Sequence, residues 1–364
     1  MPKRIFIAAT QQNDGKTTVS LGLIFALKKY FKKISFIKPI GQRYLIEQGY
    51  KVDEDSVLID DIANIRCNIK DMSPVAVEKG FTENFIRKPN IKPLIDKIQL
   101  SFNKVSRGAD LVIIEGTGHA GVGSCFDLSN AHVAKLLDAK VVLISSGGIG
   151  KPIDELVLNQ ALFERQGVEI AGVIVNKVLP EKYRKISQLV KKGLTRKGME
   201  VLGVLPYIKD LSMPNIHQIK EEIKGEVIYG TNELLDRRVE NIIVAAMKPH
   251  DAINYFKGRV LIITPGDRDD IILTAVSSHL RKEKKEFEVV ALVLSGGIIP
   301  HKSITALVKK AKIPLLLSKD DTYRVASRIH DRVVKIRPED TEKIRMAKRL
   351  INNYADIRKL LKAI

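Results

Sequence analysis

The chain has 364 residues, 45% of them hydrophobic, and a formal net charge of +19 from 61 lysines and arginines against 42 aspartates and glutamates. That length exceeds one ordinary domain and predicts two, each with enough apolar residues for a core. The apolar runs are strand-length and broken by charge, which excludes a membrane span, and two cysteines, Cys67 and Cys125, exclude a disulfide scaffold or a cysteine-based zinc cluster.

The first predicted strand is Ile5 to Ala8. Its apolar run is too short for a signal peptide and leads directly into a loop, so a cytoplasmic protein is expected. The loop reads Ala9-Thr10-Gln11-Gln12-Asn13-Asp14-Gly15-Lys16-Thr17-Thr18, and the helix-forming stretch Val19 to Leu27 follows. Strand, Gly-Lys-Thr loop and helix is the layout of a phosphate-binding loop. Backbone N–H groups wrap a triphosphate, Lys16 pairs with the β and γ oxygens, and the Thr17 hydroxyl reaches a bridging Mg²⁺. The small residue is Ala9, which gives a small-x5-G-K-T spacing, one residue longer than G-x-x-x-x-G-K-[ST]. Without a ligand the same residues are a helix N-terminus carrying lysine in its first turn, where it opposes the helix dipole unless an anion is present. The expected nucleotide contacts are Thr10, Asn13, Asp14, Gly15, Lys16, Thr17 and Thr18.

Further strands are predicted at Ile34 to Ile37, Leu111 to Ile114, Val141 to Ser145, Gly172 to Val175 and Val201 to Leu205, alternating with helical stretches. This is the pattern of a parallel sheet covered on both faces, with ligands beyond the carboxyl ends of the strands. After the second strand, Lys38 precedes Pro39 and is held extended, either aimed at an anion or lying in a surface turn. After the third comes Glu115-Gly116-Thr117-Gly118-His119. An acid closing an apolar strand can take a place on Mg²⁺ or orient a Mg²⁺-bound water, and the glycines let backbone approach phosphates. His119 reads equally as a substrate contact or as an ordinary loop histidine. The fifth strand ends in Asn176-Lys177-Val178-Leu179. GTPases carry aspartate at the fourth of these positions to read guanine, so Leu179 points to ATP, with Asn176 as a candidate adenine contact.

Beyond Pro206 and Pro214 the pattern changes, and the residues around Leu211 to Gly225 read as a linker and connecting helix. A second α/β domain is predicted from strands near Ile242 to Ala245, Val260 to Ile263, Val289 to Leu294 and Leu315 to Leu317. Its turns Pro265-Gly266-Asp267-Arg268-Asp269-Asp270 and Ser295-Gly296-Gly297 suit anion binding, and equally the tight connections any α/β unit needs. The tail from Glu339 to Ile364 carries Ile344, Ala347, Leu350, Ile351, Tyr354, Ile357, Leu360 and Leu361 at helical spacing. It predicts an amphipathic helix packed on its own domain or at an oligomer contact. Basic pairs such as Lys28-Lys29, Lys32-Lys33, Lys191-Lys192 and Arg281-Lys282 are spread along the chain with acids interleaved, which disfavours a nucleic acid partner and suits phosphorylated small molecules.

In their order, Ala9 to Thr17, Lys38-Pro39, Glu115-Gly116-Thr117-Gly118 and Val173-Ile174-Val175-Asn176 resemble dethiobiotin synthetase, a P-loop enzyme of the group that includes cobyrinic acid a,c-diamide synthase. More closely, this half resembles the dethiobiotin-synthetase-like domain at the N-terminus of long phosphate acetyltransferases. The second half, with Gly266-Asp267-Arg268 and Ser295-Gly296-Gly297, is similar to the DRTGG domain that follows there, Ser295 standing at the name-giving threonine. The resemblance implies an α/β, P-loop NTPase-like parallel sheet over residues 1–210, a smaller α/β DRTGG-like regulatory domain over 211–338, and a C-terminal helix over 339–364.

In dethiobiotin synthetase, ATP phosphorylates a carbamate formed from CO2 and a diamine. The resemblance therefore implies catalytic roles for Lys16, Lys38 and Glu115, the lysines neutralising phosphate and developing charge, and Mg²⁺ held by Thr17, Glu115 and Asp55. This chain departs from the pattern at Ala9 in place of the first loop glycine, at Ile40-Gly41-Gln42-Arg43, and at His119. In the long enzymes a catalytic domain follows the DRTGG domain, whereas here a helical tail follows, so acetyl transfer is not expected. The leading expectation is an ATP- and Mg²⁺-binding sensor or slow ATPase, with a DRTGG-like domain that answers to a small-molecule effector or holds a homo-oligomer. The alternative is an ATP-dependent ligase activating a carboxylate or carbamate. A third class is a nucleic-acid-binding or scaffold protein that merely retains the loop.

Overall fold

A computed structural model describes residues 1–65, 67–280, 287–330 and 334–364; the basic pair Arg281-Lys282 lies outside them. The chain divides into two units, one formed by Met1–Ile208 together with Ile336–Ile364 and the other by Lys209–Lys335.

Among the described residues, ten strands belong to the first unit: β1 (Lys3–Ala9), β2 (Ile34–Ile37), β3 (Ile40–Gly41), β4 (Tyr44–Glu47), β5 (Tyr50–Asp53), β6 (Val75–Ala76), β7 (Leu111–Glu115), β8 (Lys140–Ser146), β9 (Ile170–Val178) and β10 (Val201–Pro206). Six of them form the main sheet in the order β10-β9-β8-β1-β7-β2, every pair parallel. Their apolar runs are nearly continuous because helices bury both faces, and all five residues of β7 are buried. The six strands expected from β-branched runs are those of this sheet. A hairpin, β4–β5, was not anticipated. It turns at Gln48 and Gly49, both at positive φ as a two-residue hairpin loop needs, and it delivers Asp53 at the end of β5.

The helix after β1, α1 (Lys16–Leu27), is packed by the far end of the chain. At Gly22 an added Cβ would lie 2.3 Å from Ile351 Cγ1 and 2.8 Å from the Ala347 carbonyl, so the helix Thr341–Tyr354 rests directly on the backbone of α1. Its face Ile344, Ala347, Leu350 and Ile351 is buried. The chain then crosses β10, where Asp356 N donates to Leu202 O at 2.6 Å, and ends in the helix Ile357–Ala363. The tail thus belongs to the first unit and covers the edge that β10 would otherwise leave open.

The second unit contains β11 (Glu226–Tyr229), β12 (Asn241–Val244), β13 (Gly258–Pro265), β14 (Phe287–Ser295) and β15 (Leu315–Leu317), ordered β11-β15-β14-β13-β12, with β11 antiparallel and the rest parallel. Alternate residues face two cores: Val260, Ile262, Leu292, Leu294 and Leu315 enter one, and Leu261, Ile263, Val293 and Leu316 the other. Ile216, Ile219 and Ile223 belong to the second core. The stretch read as a linker and connecting helix is therefore a core helix, Ile216–Glu222, opened by an Asn215–Gln218 capping box. Among the described residues no helix is long and apolar enough to cross a membrane.

Candidate functional site

The parallel registers bring the ends of β1, β7 and β8 together: Ile7 lies opposite Glu115, and Ala9 opposite Ile144. Between β1 and α1 the loop turns through Asn13 and Gly15, both in the left-handed region at φ +66° and +94°. A Cβ on Gly15 would come 2.4 Å from Asn176 Nδ2, so glycine is required there. Among the described residues, α1 has no side-chain cap and no acid in its first turn, whereas Asp53 caps the helix Glu54–Ala63 by accepting from Asp55 N. The first N–H groups of α1 are thus left for an anion.

The loop is anchored from below. Thr10 Oγ1 lies 2.9 Å from Asp14 Oδ2, 3.1 Å from Ser145 Oγ and 3.1 Å from Glu155 Oε2. Asp14, also buried, accepts from Gln11 N at 2.8 Å and from the Ser146 hydroxyl. Two donors from the end of β9 hold successive loop carbonyls, Asn176 Nδ2 on Asp14 O at 2.8 Å and Lys177 Nζ on Asn13 O at 2.5 Å. Asn176 is buried, and its Oδ1 accepts from Lys177 N at 2.9 Å, which makes it a brace beneath the loop. Thr18 follows in the first turn of α1, half-buried.

At the other side of the loop Lys16, Thr17, Lys38, Asp55 and Glu115 converge. Thr17 Oγ1 donates to Glu115 Oε1 at 3.1 Å. Lys38, buried, has its ammonium 2.9 Å from Asp53 Oδ1, in contact with Asp55 Oδ2, and 3.8 Å from Glu115 Oε1. Burial alone would lower the Lys38 ammonium, but Asp55, Asp53 and Glu115 outweigh it and hold it above the ordinary lysine range. Lys16 is shifted the other way, lowered by burial against a smaller opposing pull from Glu115. Glu115 is 0% exposed, and burial, reinforced by Asp55, pushes its carboxyl up against the pull of Lys38, the Ser20 hydroxyl and Lys16.

Among the described residues Glu115 Oε2 is buried without a well-formed hydrogen bond; the Ser20 hydroxyl, also buried and unpaired by geometry, is its nearest polar company. A buried carboxylate oxygen left so is costly, and a cation or its water shell beside the Thr17 hydroxyl would satisfy it. Among the described residues no group of three or more His, Cys, Asp or Glu side chains could hold a metal ion by itself. A Mg²⁺ at this place fits only if phosphate oxygens complete its shell, which is its usual habit. A carboxyl with a raised folded pKa favours folding below its unfolded value of about 4.3 and loses that contribution as pH rises through the folded value. Glu115→Gln is accordingly expected to raise the melting temperature of the nucleotide-free chain at pH 8, by roughly 2–4 °C, and less at pH 5. Thermal melts at the two pH values check this, and a lower melting temperature at pH 8 counts against it.

Other contributors carried weak sequence signals. Asn130 pins the loop after β7, donating through Nδ2 to the Thr117 and His119 carbonyls at 2.7 Å each and accepting from Thr117 N at 3.1 Å. Ser145 and Ser146 stand at a strand end, where the parallel-sheet rule directs attention. Glu155 sits inside the helix Gly150–Arg165 and reaches the loop only through the fold. His119 accepts from Gly121 N at 3.2 Å within its own loop, and burial pushes the half-buried Cys67 thiol up, away from nucleophilic use.

In the second unit the signature turns are braced by bonds within their own domain. Arg268 pairs with Asp270 at 2.8 and 2.9 Å and donates to the Met247 carbonyl at 2.9 Å. Gly296 N and Gly297 N donate to the Asp320 and Ser318 carbonyls, and the Ser295 and Thr322 hydroxyls share a bond of 2.7 Å. Gly266 has no room for a side chain, since a Cβ would lie 1.8 Å from Ile298 O.

Residues 3–215 match the AAA domain and residues 218–332 the DRTGG domain. Among curated proteins the chain is similar to the phosphate acetyltransferase of Nitratidesulfovibrio vulgaris, 27% identical over 98% of this chain and 51% of that protein, and to that of Synechocystis sp., 25% identical over 99% and 52%. The chain spans about half the length of the curated relatives it matches. Among solved structures it is similar to the MinC:MinD cell division protein complex of Aquifex aeolicus, at 17% identity over 57% of this chain and 83% of that one, TM-score 0.37. It is also similar to the CBS and DRTGG domains of the regulatory region of Clostridium perfringens pyrophosphatase, complexed with diadenosine tetraphosphate, at 16% identity over 49% and 85%, TM-score 0.26.

Proposed function

The chain belongs to the AAA domain family through residues 3–215 and carries a DRTGG domain at residues 218–332, and on that premise we propose that it binds ATP with Mg²⁺ as a sensor or slow ATPase. The observation that carries the reading is Glu115: a fully buried carboxylate with one oxygen on the Thr17 hydroxyl and the other without a well-formed hydrogen bond, the Ser20 hydroxyl being its nearest polar company, beside the uncapped start of α1. Lys16 and the loop N–H groups hold the β and γ phosphates, and Thr17 and Glu115, with Asp55 behind them, hold Mg²⁺. When bound, the ion neutralises charge on the phosphates and polarises the γ-phosphoryl group.

Lys38 favours this reading over a carboxylate- or carbamate-activating ligase. Its charge is committed to Asp53 and Asp55, whereas a ligase must turn it toward a carbon substrate. The DRTGG domain is then the regulatory half, and a cytoplasmic homo-oligomer is the form in which the protein works. ATP binding and Mg²⁺-dependent ADP release test the proposal in the native chain and in Lys16→Ala, which is expected to weaken ATP about tenfold or more. Binding unchanged by that substitution would refute it. ADP release that climbs steeply on adding bicarbonate and a diamine would establish the ligase instead.

A further inference from the structure

The hairpin β4–β5 is held from one side. β5 is tied to the first unit: Val52 and Asp53 are buried, and Asp53 N donates to Ser73 Oγ at 3.0 Å. β4 lies outermost, with Tyr44, Leu45 and Ile46 all exposed, Ile46 by 63%. Successive side chains on a strand point to opposite faces, so β4 shows apolar groups on both. A two-stranded ribbon is marginal on its own, and an open apolar edge is a template for another strand.

The hydrogen-bond pattern fixes how that edge can be met. Glu54 N donates to Arg43 O at 3.0 Å, and Glu47 faces Tyr50 across the two-residue turn, so positions 43, 45 and 47 bond inward to the β5 side. By alternation the N–H and C=O groups of Tyr44 and Ile46 turn outward, and among the described residues no other strand pairs with them. An antiparallel neighbour must set outward groups against outward groups.

A second copy of β4 meets this requirement at both positions in one two-fold register, centred on Leu45. Tyr44 then lies opposite the partner's Ile46 and Ile46 opposite the partner's Tyr44, while the two Leu45 side chains meet at the axis. The same register sets Arg43 opposite the partner's Glu47, twice. Arg43 is exposed and lies 4.0 Å from Glu54 in its own chain, a loose contact that leaves it able to take a closer one. Tyrosine against isoleucine and arginine against glutamate are favourable cross-strand pairs, and each occurs twice by symmetry.

We infer that β4 is the contact through which two copies of this chain join, β4 against β4 in antiparallel register about Leu45, so that two hairpins become one four-stranded sheet. A contact of this isologous kind closes on itself and stops at a dimer. The inference rests on the homo-oligomer of the proposed function and not on its nucleotide. It places the partner one strand away from Asp53, which β5 brings to Lys38.

Sedimentation velocity of the full chain over a range of concentrations tests this in the native protein, in Ile46→Pro, in Arg43→Glu, in Glu47→Arg and in the double variant carrying both reversals. Proline at position 46 removes an outward N–H that the hairpin itself does not use, which an edge strand tolerates. The native chain is expected to dimerise. The dissociation constant should rise about tenfold or more in Ile46→Pro and in each single reversal, which sets like charges opposite each other at two symmetric places. The double variant should return to within about threefold of the native value. A dimer unmoved by the proline and by the single reversals overturns the contact and leaves the homo-oligomer standing. Single reversals that weaken the dimer without recovery in the double variant overturn the register, and an open-ended series of larger species overturns the closed pairing. A native chain that stays monomeric at every concentration overturns the homo-oligomer and this inference together. Should Ile46→Pro fail to fold by circular dichroism, the charge reversals decide alone.

Discussion

A chain cut after Lys335 is expected to lose the folded nucleotide-binding unit, although the cut removes no residue of the loop and none of the main sheet. The segment removed buries Ile344, Leu350, Ile351 and Leu360, and Ala347 packs against Gly22 of α1. Each large apolar side chain buried contributes about 1.5–3 kcal/mol, so four of them match a typical domain stability of about 5–15 kcal/mol. The same cut bares the apolar face of α1 and the edge of β10. Far-UV circular dichroism and hydrogen exchange of the truncated chain check this: exchange in β1, β7 and β8 should become fast while the strands of the second unit stay protected. Protection retained in β1 and α1 would show that the tail is dispensable.

Lys38→Met is expected to be the most damaging single substitution at the site, lowering stability by about 3–5 kcal/mol at pH 8. The cause is the company Lys38 keeps, because its removal leaves Asp53, Asp55 and Glu115 crowded in a buried pocket. The folded Lys38 pKa is raised, so its contribution is complete below the unfolded value of about 10.4 and is lost only as pH climbs through the folded one. Between pH 5 and 8 the native charge on Lys38 is therefore constant, and the pH dependence of the variant comes from its carboxylates. Without Lys38, Glu115 loses a cation that holds its carboxyl down, so the variant binds protons more avidly when folded and weakens as pH rises. Urea midpoints at pH 5.5 and pH 8 should show a larger deficit at the higher value. A deficit equal at both, or none, would mean that the cluster is not coupled as the distances indicate.

How far such features could be read from sequence depends on whether their cause is local. Leu111 to Ile114 and Leu315 to Leu317 declare themselves because a strand buried on both faces must be apolar throughout. The edge strand β11, Glu226–Tyr229, and the hairpin Tyr44–Asp53, largely exposed until Val52 and Asp53, lack that constraint, and neither has a comparable signal. Lys16, Thr17 and Glu115 are legible for a similar reason, since each stands at a strand end or helix start where the chemistry requires its type. Asp53 is not, because only the hairpin turn carries it to Lys38. Asn176 shows the converse, for its place at the end of β9 does not announce that its Nδ2 donates to the Asp14 carbonyl once the loop is folded over it. The tail is the sharpest case. Ile344, Ala347, Leu350 and Ile351 announce a buried face, but its partner lies beside Gly22, and nothing in the spacing points there.

That pairing has a consequence for synthesis on the ribosome. The nucleotide loop and α1 emerge first, yet the helix that packs on α1 emerges last, and everything between Lys209 and Lys335 is made and can close before it. About 330 residues separate Gly22 from Ile351, which at roughly 5–20 residues per second is a delay on the order of 15–60 s. The usual vectorial order is thus inverted: the later unit completes itself while the earlier one waits with α1 uncovered. For that interval the apolar face of α1 and the β10 edge stay uncovered, surfaces of the kind through which unfinished chains aggregate.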